Sequence, residues 1–321
     1  MKLPRATTLA LIGVSTLLAA CGGTAAPAPS QTASASASQA PAKKVGLALS
    51  TLNNPFFVSV QQGALGAAGA AGVQVLVADG QNDNAKQADE IATFIAQKVD
   101  VILVNPTDSD AVVPSVQKAN QANIPVIALD RAANGGKLAT TIASNNVQAG
   151  QLGAQQLIAA VQPGAKVAML IGIPGASAAN DRGKGFTDSL ADSSVNTKGL
   201  ELVAQQSANF DRTQGLNVMQ NVLTANRDIA GVFAQNDEMA LGAVQAIKAA
   251  GLSGRVAVVG VDGEADAVAA VKSGDMYATV AQQPAEMGKL AVQAAAQLIA
   301  GQTLQPKVDV PLQVITKANA G

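Results

Sequence analysis

A chain of 321 residues that is 48% hydrophobic and 13% charged has material for two folded cores, and its net charge of −1 with no basic patch argues against a nucleic-acid partner. It contains no histidine and one cysteine, Cys21. Histidine acid–base chemistry, Ser-His and Cys-His nucleophile pairs, the commonest metal ligand and internal disulfides are thereby excluded.

The chain opens on Lys2 and Arg5, followed by an apolar run over 9–20. That run is short for a bilayer span and has the length of a secretory h-region. It ends in Leu18-Ala19-Ala20-Cys21, which resembles the lipobox of bacterial lipoproteins. Residues 1–20 are therefore expected to be a signal peptide, cut before Cys21, the residue that carries lipid. Acyl chains there make a membrane anchor, at about 0.8 kcal/mol per buried methylene. Residues 21–42 hold almost nothing but Ala, Ser, Thr, Pro, Gln and Gly, and no core can form from them. They read as a flexible tether. Anchor, tether and body together place the protein outside the cytoplasm, held to a bacterial membrane in the periplasm or at the cell surface.

From residue 43 onward, short β-branched runs alternate with Ala-rich helical patterns. The first strand, over 45–49, leads into Ser50-Thr51-Leu52-Asn53-Asn54-Pro55-Phe56-Phe57-Val58. Two of the chain's six phenylalanines stand there side by side. Two readings stand for this stretch. It is an aromatic clamp for something flat, or it is a proline at the first helical position behind an Asn cap, with both rings packing inward. Further strands are expected over 73–78, 101–104, 126–129 and 139–143, then over 166–171, 200–205, 229–234, 256–261 and 277–281. Helices over 85–97, 146–161, 210–225 and 237–250 lie between them, apolar at three- and four-residue spacing, with Gly251 placed to end the last. Continuous apolar strands separated by helices form parallel sheets covered on both faces. About ten such strands exceed one compact sheet, so the pattern predicts two doubly wound α/β domains.

Sheets of this kind bind ligands at the carboxyl ends of their strands. Unusual polar residues recur there: Asp130-Arg131, Asn180-Asp181-Arg182 after a Gly/Ser/Ala-rich turn, Phe210-Asp211-Arg212, Gln235-Asn236-Asp237-Glu238, Asp262-Gly263 and Gln282. Asn236 and Asp262 also look like helix caps. Carboxylates accept, guanidinium groups donate in a fork, and amides do both, a repertoire that suits vicinal hydroxyls, with Phe faces suiting a sugar ring. A phosphate-cradling loop is absent, and Gly183-Lys184-Gly185-Phe186 lacks the dinucleotide spacing. Asp130 and Asp262 are conceivable as a glycosidase pair, but nothing in the sequence raises one pKa.

Ser50 to Ser59, Asn105-Pro106-Thr107-Asp108-Ser109-Asp110-Ala111-Val112, the run Ala119 to Ile127, Phe210-Asp211-Arg212 with Gly215 to Asn221, and Phe233 to Gly242 carry a specific likeness. From about residue 44 to 317 the chain resembles the D-ribose-binding proteins of ABC importers, within the wider periplasmic sugar-binding family. The resemblance implies a periplasmic-binding-protein-like fold, with two six-stranded lobes joined by a three-crossing hinge. One lobe would comprise 43–144 plus 283–311, the other 145–282 plus 312–321. Phe56 and Phe57 would stack on one face of the sugar and Phe210 on the other. Asn54, Asp130, Arg131, Arg182, Asn236, Asp262 and Gln282 would hydrogen-bond its hydroxyls and ring oxygen. No catalytic residue, metal or cofactor is implied. The implied partners are D-ribose or a similar monosaccharide, such as allose, another pentose or a furanosyl signal, and the importer's permease. A chemoreceptor is left open as a further partner, and the protein is expected to be a monomer. Asn145 replaces an acid near a lobe crossing, Asn180-Asp181 is less charged than the family's run, and Val261 replaces an aromatic. The effector domains of lactose-repressor-type regulators share the fold, but a secretion signal stands where their DNA-binding headpiece would be.

Overall fold

The computed structural model describes residues 43–321; the expected leader, Cys21 and the tether lie outside the described residues. Two parallel sheets of six strands organise the chain. The first holds β1 (Lys43–Leu49), β2 (Val73–Asp79), β3 (Val101–Val104), β4 (Val126–Leu129), β5 (Thr140–Ser144) and β11 (Lys307–Val310), in the order β11-β5-β4-β3-β1-β2. The second holds β6 (Lys166–Ile171), β7 (Glu201–Ser207), β8 (Ile229–Ala234), β9 (Ala257–Asp262), β10 (Ala278–Ala281) and β12 (Gln313–Thr316), in the order β12-β10-β9-β8-β6-β7. Only β12 runs antiparallel to its neighbour.

Each sheet is covered on both faces, which is why central strands such as β3 and β4 are apolar at every position. β3 and β4 are buried throughout. In lobe 1, α1 (Pro55–Ala71) and α9 (Pro284–Ile299) cover one face, and α2 (Asn84–Ala96) and α3 (Val113–Gln121) the other. In lobe 2, α4 (Asn146–Ala160) and α5 (Ser177–Ala191) face α6 (Arg212–Ala225), α7 (Asp237–Ala249) and α8 (Ala265–Ser273) across the sheet. Every apolar cluster belongs to one lobe, so each lobe has a core of its own.

The ten expected strands are present, with ends shifted by a residue or two. The helix expected from residue 210 starts at Arg212, because the Asp211 side chain accepts from Gln214 N at 2.7 Å and caps it there. β11 and β12 escape the apolar-run criterion. They are four-residue edge strands with polar residues interleaved, next to Pro306 and Pro311.

The chain passes between the lobes three times: from β5 into α4, from β10 into α9, and from β11 into β12. At the first crossing Asn145 caps α4 by accepting from Gln148 N at 3.1 Å. Opposite this hinge the lobes meet directly. Ser109 N donates to Gly175 O at 3.1 Å, Ser177 N to Ser109 Oγ at 3.1 Å, and Ala132 N to Ser177 Oγ at 2.9 Å. The approach is so close that a Cβ on Gly175 would collide with Asp108 Oδ2. Asp108 cannot easily yield, since its Oδ1 accepts from Asp110 N and Ala111 N, both at 2.8 Å. Gly175 also has φ 89°, a backbone L side chains rarely adopt, so Gly175→Ala is expected to disfavour this contact between the lobes by about 1–3 kcal/mol. Small-angle scattering should show a larger radius of gyration with an unchanged circular dichroism spectrum. A radius equal to the wild type's would refute this steric account of the cleft mouth.

Candidate ligand-binding site

The carboxyl ends of both sheets face one cavity of about 260 Å³, lined by Asn54, Phe56, Phe57, Asp130, Arg131, Ala178, Arg182, Phe210, Asn236, Asp262 and Gln282. All ten residues expected from the sequence are among them. The space is small, so it suits one compact molecule. Five charged side chains are buried among the described residues: Asp130, Arg131, Arg182, Asp237 and Asp262. Four of them line this cavity, and none lines the larger hollow at the opposite end of lobe 2.

On the lobe 1 side, the first strand-to-helix turn is the capped helix start with inward-packed rings. Pro55 opens α1 and Asn54 caps it, its Oδ1 accepting from Phe56 N at 2.8 Å. That bond commits the carbonyl end of Asn54 and leaves its NH₂ for the cavity. Phe56 and Phe57 are each 4% exposed and belong to the core, yet their rings, edge to face at 5.2 Å, also wall the site. Asp130 has a left-handed backbone, φ 63°. Asn105 holds it there, donating from Nδ2 to Asp130 Oδ2 and to Leu129 O, both at 3.1 Å, while its Oδ1 accepts from Ser50 N at 3.2 Å. Arg131 donates from Nη1 to Pro106 O at 3.0 Å, and its guanidinium lies over both Phe57 (5.2 Å) and Phe210 (5.4 Å).

On the lobe 2 side, Arg182 lies buried on α5. It donates from Nε to Asn146 Oδ1 at 2.8 Å and from Nη1 to Gln235 O at 2.6 Å, with Asp262 Oδ1 3.7 Å from Nη1. Glycines at positions 150 and 185 let α4 and α5 pack backbone to backbone, where any Cβ would strike Arg182 O or Val147 O. Phe210, at φ 58°, rests on Gly172. Asn236 caps α7, accepting from Met239 N at 3.0 Å, so its amide NH₂ also faces inward, reaching Phe210 O at 3.4 Å.

Asp262 is not a cap, contrary to the sequence reading. It ends β9 at φ 133°, Glu264 occupies the cap position of α8, and the Asp262 carboxylate instead accepts from Gln282 Nε2 at 2.7 Å. Ala178, in the first turn of α5, was missed, because an alanine in a Gly/Ser/Ala-rich turn carries no polar signal.

Two carboxyl and two guanidinium groups line the cavity. Burial pushes the Asp130 carboxyl up, opposed by Arg131, Arg182 and a hydrogen bond from Asn105. Burial also pushes Asp262 up, to about 8, with Arg182 opposing and Asp237 adding to the rise. Arg131 is drawn down by burial to about 10 and stays charged at neutral pH. Asp130 Oδ1, Arg131 Nε and Gln282 Oε1 are buried without a hydrogen-bond partner among the described residues. Acceptors and donors thus alternate between aromatic walls, an arrangement complementary to a neutral ring whose hydroxyls each donate and accept.

A family profile described as "Periplasmic binding protein domain" matches residues 45–303. The ribose import binding protein of Bacillus subtilis is 46% identical over 273 residues, 85% of this chain and 87% of its own. The putative rhizopine-binding protein of Rhizobium meliloti is 38% identical over 77% of this chain and 81% of its own. Among solved structures, a solute-binding protein from Actinobacillus succinogenes with bound D-allose superimposes with a TM-score of 0.79 at 35% identity, covering 87% of this chain and 99% of its own. A Caulobacter myo-inositol-binding protein gives 0.81 at 33% identity, covering 86% and 94%.

The raised Asp262 pKa has a consequence for stability. Between about 4, where the unfolded carboxyl ionises, and about 8, the folded protein holds a proton that the unfolded chain has lost. Stability of the ligand-free protein from this group therefore falls as pH rises through that window, and Asp130 and Asp237 act in the same direction. Asp262→Asn removes the effect. Its thermal midpoint at pH 8 is expected to exceed the wild type's by about 2–4 °C, with a smaller difference at pH 5. Thermal denaturation at both pH values checks this, and a variant less stable at pH 8 would contradict it.

Proposed function

The chain belongs to the periplasmic binding protein family, and we propose that it captures D-ribose between its two lobes and delivers it to the permease of an ABC importer. The family is one of extracytoplasmic solute-binding transport proteins. The observation that carries the ribose reading is the cavity itself: all ten residues that the ribose-binding resemblance designates come together around a small, Phe-walled space. The 46% identity to ribose import binding proteins, from Bacillus subtilis and from Escherichia coli, supports the same substrate. D-Allose is the second reading, favoured by the 35% identical structure that holds it.

In this mechanism the sugar binds one lobe of an open form and is enclosed when the other arrives. Residues 43–144 with 283–311 move as one body, and 145–282 with 312–321 as the other. The three crossings serve as the hinge. Each carboxylate is matched to a guanidinium or an amide, so the site holds its ligand and performs no chemistry on it. Cys21 carries the lipid anchor, and the closed form docks on the permease as a monomer.

Isothermal titration with D-ribose, D-allose, D-arabinose, D-galactose and D-glucose tests the substrate. One-to-one ribose binding at roughly −8 to −10 kcal/mol is expected, with weaker responses to the other sugars. Arg182→Ala should weaken it at least about tenfold, since it removes a buried charged donor from the cavity wall. Tight binding of another sugar alone would reassign the substrate, and silence across the panel would overturn the reading.

A further inference from the structure

Asp237 is the one buried charged side chain among the described residues that does not line the cavity. It is fully buried at the first position of α7, directly after Asn236. Three donors, one from β10 and two from the turn after β9, converge on its carboxylate. Thr279 Oγ, on β10, donates to Oδ1 at 2.7 Å; Gly263 N and Glu264 N, in the turn after β9, donate to Oδ2 at 2.7 and 2.9 Å. Gly263 N also reaches Thr279 Oγ at 3.2 Å. Room for the carboxylate exists because β9 carries glycine at 260, where a Cβ would collide with Asp237 Oδ1.

The strand ends so gathered are those that present Asn236, Asp262 and Gln282. The turn after β9 is also conformationally costly, with Asp262 at φ 133° and Gly263 at φ 76°, and such a backbone persists only where its surroundings over-determine it. We propose that Asp237 is the positioning residue of this site: its carboxylate clamps the Asp262–Gly263 turn to β10 and so aims Asp262 and Gln282 at the sugar. The proposal rests on the sugar-binding reading above.

A carboxylate suits this place better than any other side chain. It accepts from three donors at once and donates nothing. The α7 N-terminus favours its charge, and Arg182 is the cation that opposes the burial penalty. Asp262 and Glu264 are the other titratable groups coupled to it electrostatically, with Glu238 next along α7. An asparagine would keep the geometry, because its oxygen can accept from the two backbone amides while its NH₂ donates to Thr279 Oγ. It would remove the like charge that helps to raise the Asp262 carboxyl.

The experiment uses the full chain with Asp237→Ala, Asp237→Asn and Thr279→Val. It reads D-ribose affinity by calorimetry across pH 6 to 8, and amide hydrogen exchange at Gly263 and Glu264 without sugar. Asp237→Ala is expected to lose at least about tenfold in affinity and to expose both amides to exchange. Asp237→Asn should stay within about threefold at pH 8 and hold its affinity to lower pH than the wild type. Thr279→Val should fall between them. If Asp237→Ala does not fold, the exchange and pH profile of the other two variants decide. Wild-type affinity or wild-type amide protection in Asp237→Ala would overturn the proposal. Exposed amides in a protein whose wild type binds no sugar would uphold the clamp and refute the sugar reading instead.

Discussion

The structure around the cleft depends on burying two carboxylates and two guanidinium groups within one small space. An unpaired charge in such a place is strongly destabilising, and even a pair seldom recovers its desolvation cost. The solution here is partial satisfaction. Each charge receives protein partners on its outer side: Asn105 for Asp130, Pro106 O for Arg131, Asn146 and Gln235 O for Arg182, and Gln282 for Asp262. The inner side keeps Asp130 Oδ1 and Arg131 Nε for a ligand. Burial then holds the carboxyls above their usual range, so the cleft is a reserve of unfavourable electrostatics that a hydroxyl-rich ligand relieves.

The same side chains make recognition and closure one event. Arg131 of lobe 1 is sandwiched between Phe57 of its own lobe and Phe210 of the other. Arg182, from lobe 2, opposes the burial that raises the Asp130 carboxyl in lobe 1. Neither lobe alone walls the site with aromatic rings on both sides. The direct contacts at the mouth, through Ser109 and Ser177, add an affinity of lobe for lobe that no sugar supplies.

Much of this was legible in the amino-acid pattern, for reasons that also explain what was not. Strands such as β3 and β4 are covered on both faces, so they appear as unbroken apolar runs; β11 and β12 sit at sheet edges and alternate with polar residues, so they do not. The lining of the cavity showed itself because Asp130-Arg131, Phe210 and Gln282 are odd residues to end a strand with. Asp262 looked like a cap because it precedes a glycine and a helix; only the three-dimensional turn reveals that its carboxylate goes sideways to Gln282. Ala178 and the support given by Asn105, Asn146 and Asp237 were invisible as roles. The partners so held by these three lie 25 or more residues away in sequence, and an amide or a small side chain advertises nothing about which distant atom it meets.

Neither lobe is a continuous length of chain, and this governs the order in which the molecule can be assembled. Lobe 1 waits for α9 to cover its core and for β11 to pair with β5, although both arrive only after the five parallel strands of lobe 2 have been made. Long-range pairings of this kind are slow to form, because the intervening loop must be ordered before its contacts reward it. A chain emerging end-first would therefore pass through a stage in which α1 exposes the apolar face destined for α9. That is the species for which a chaperone or a delay in release would matter most.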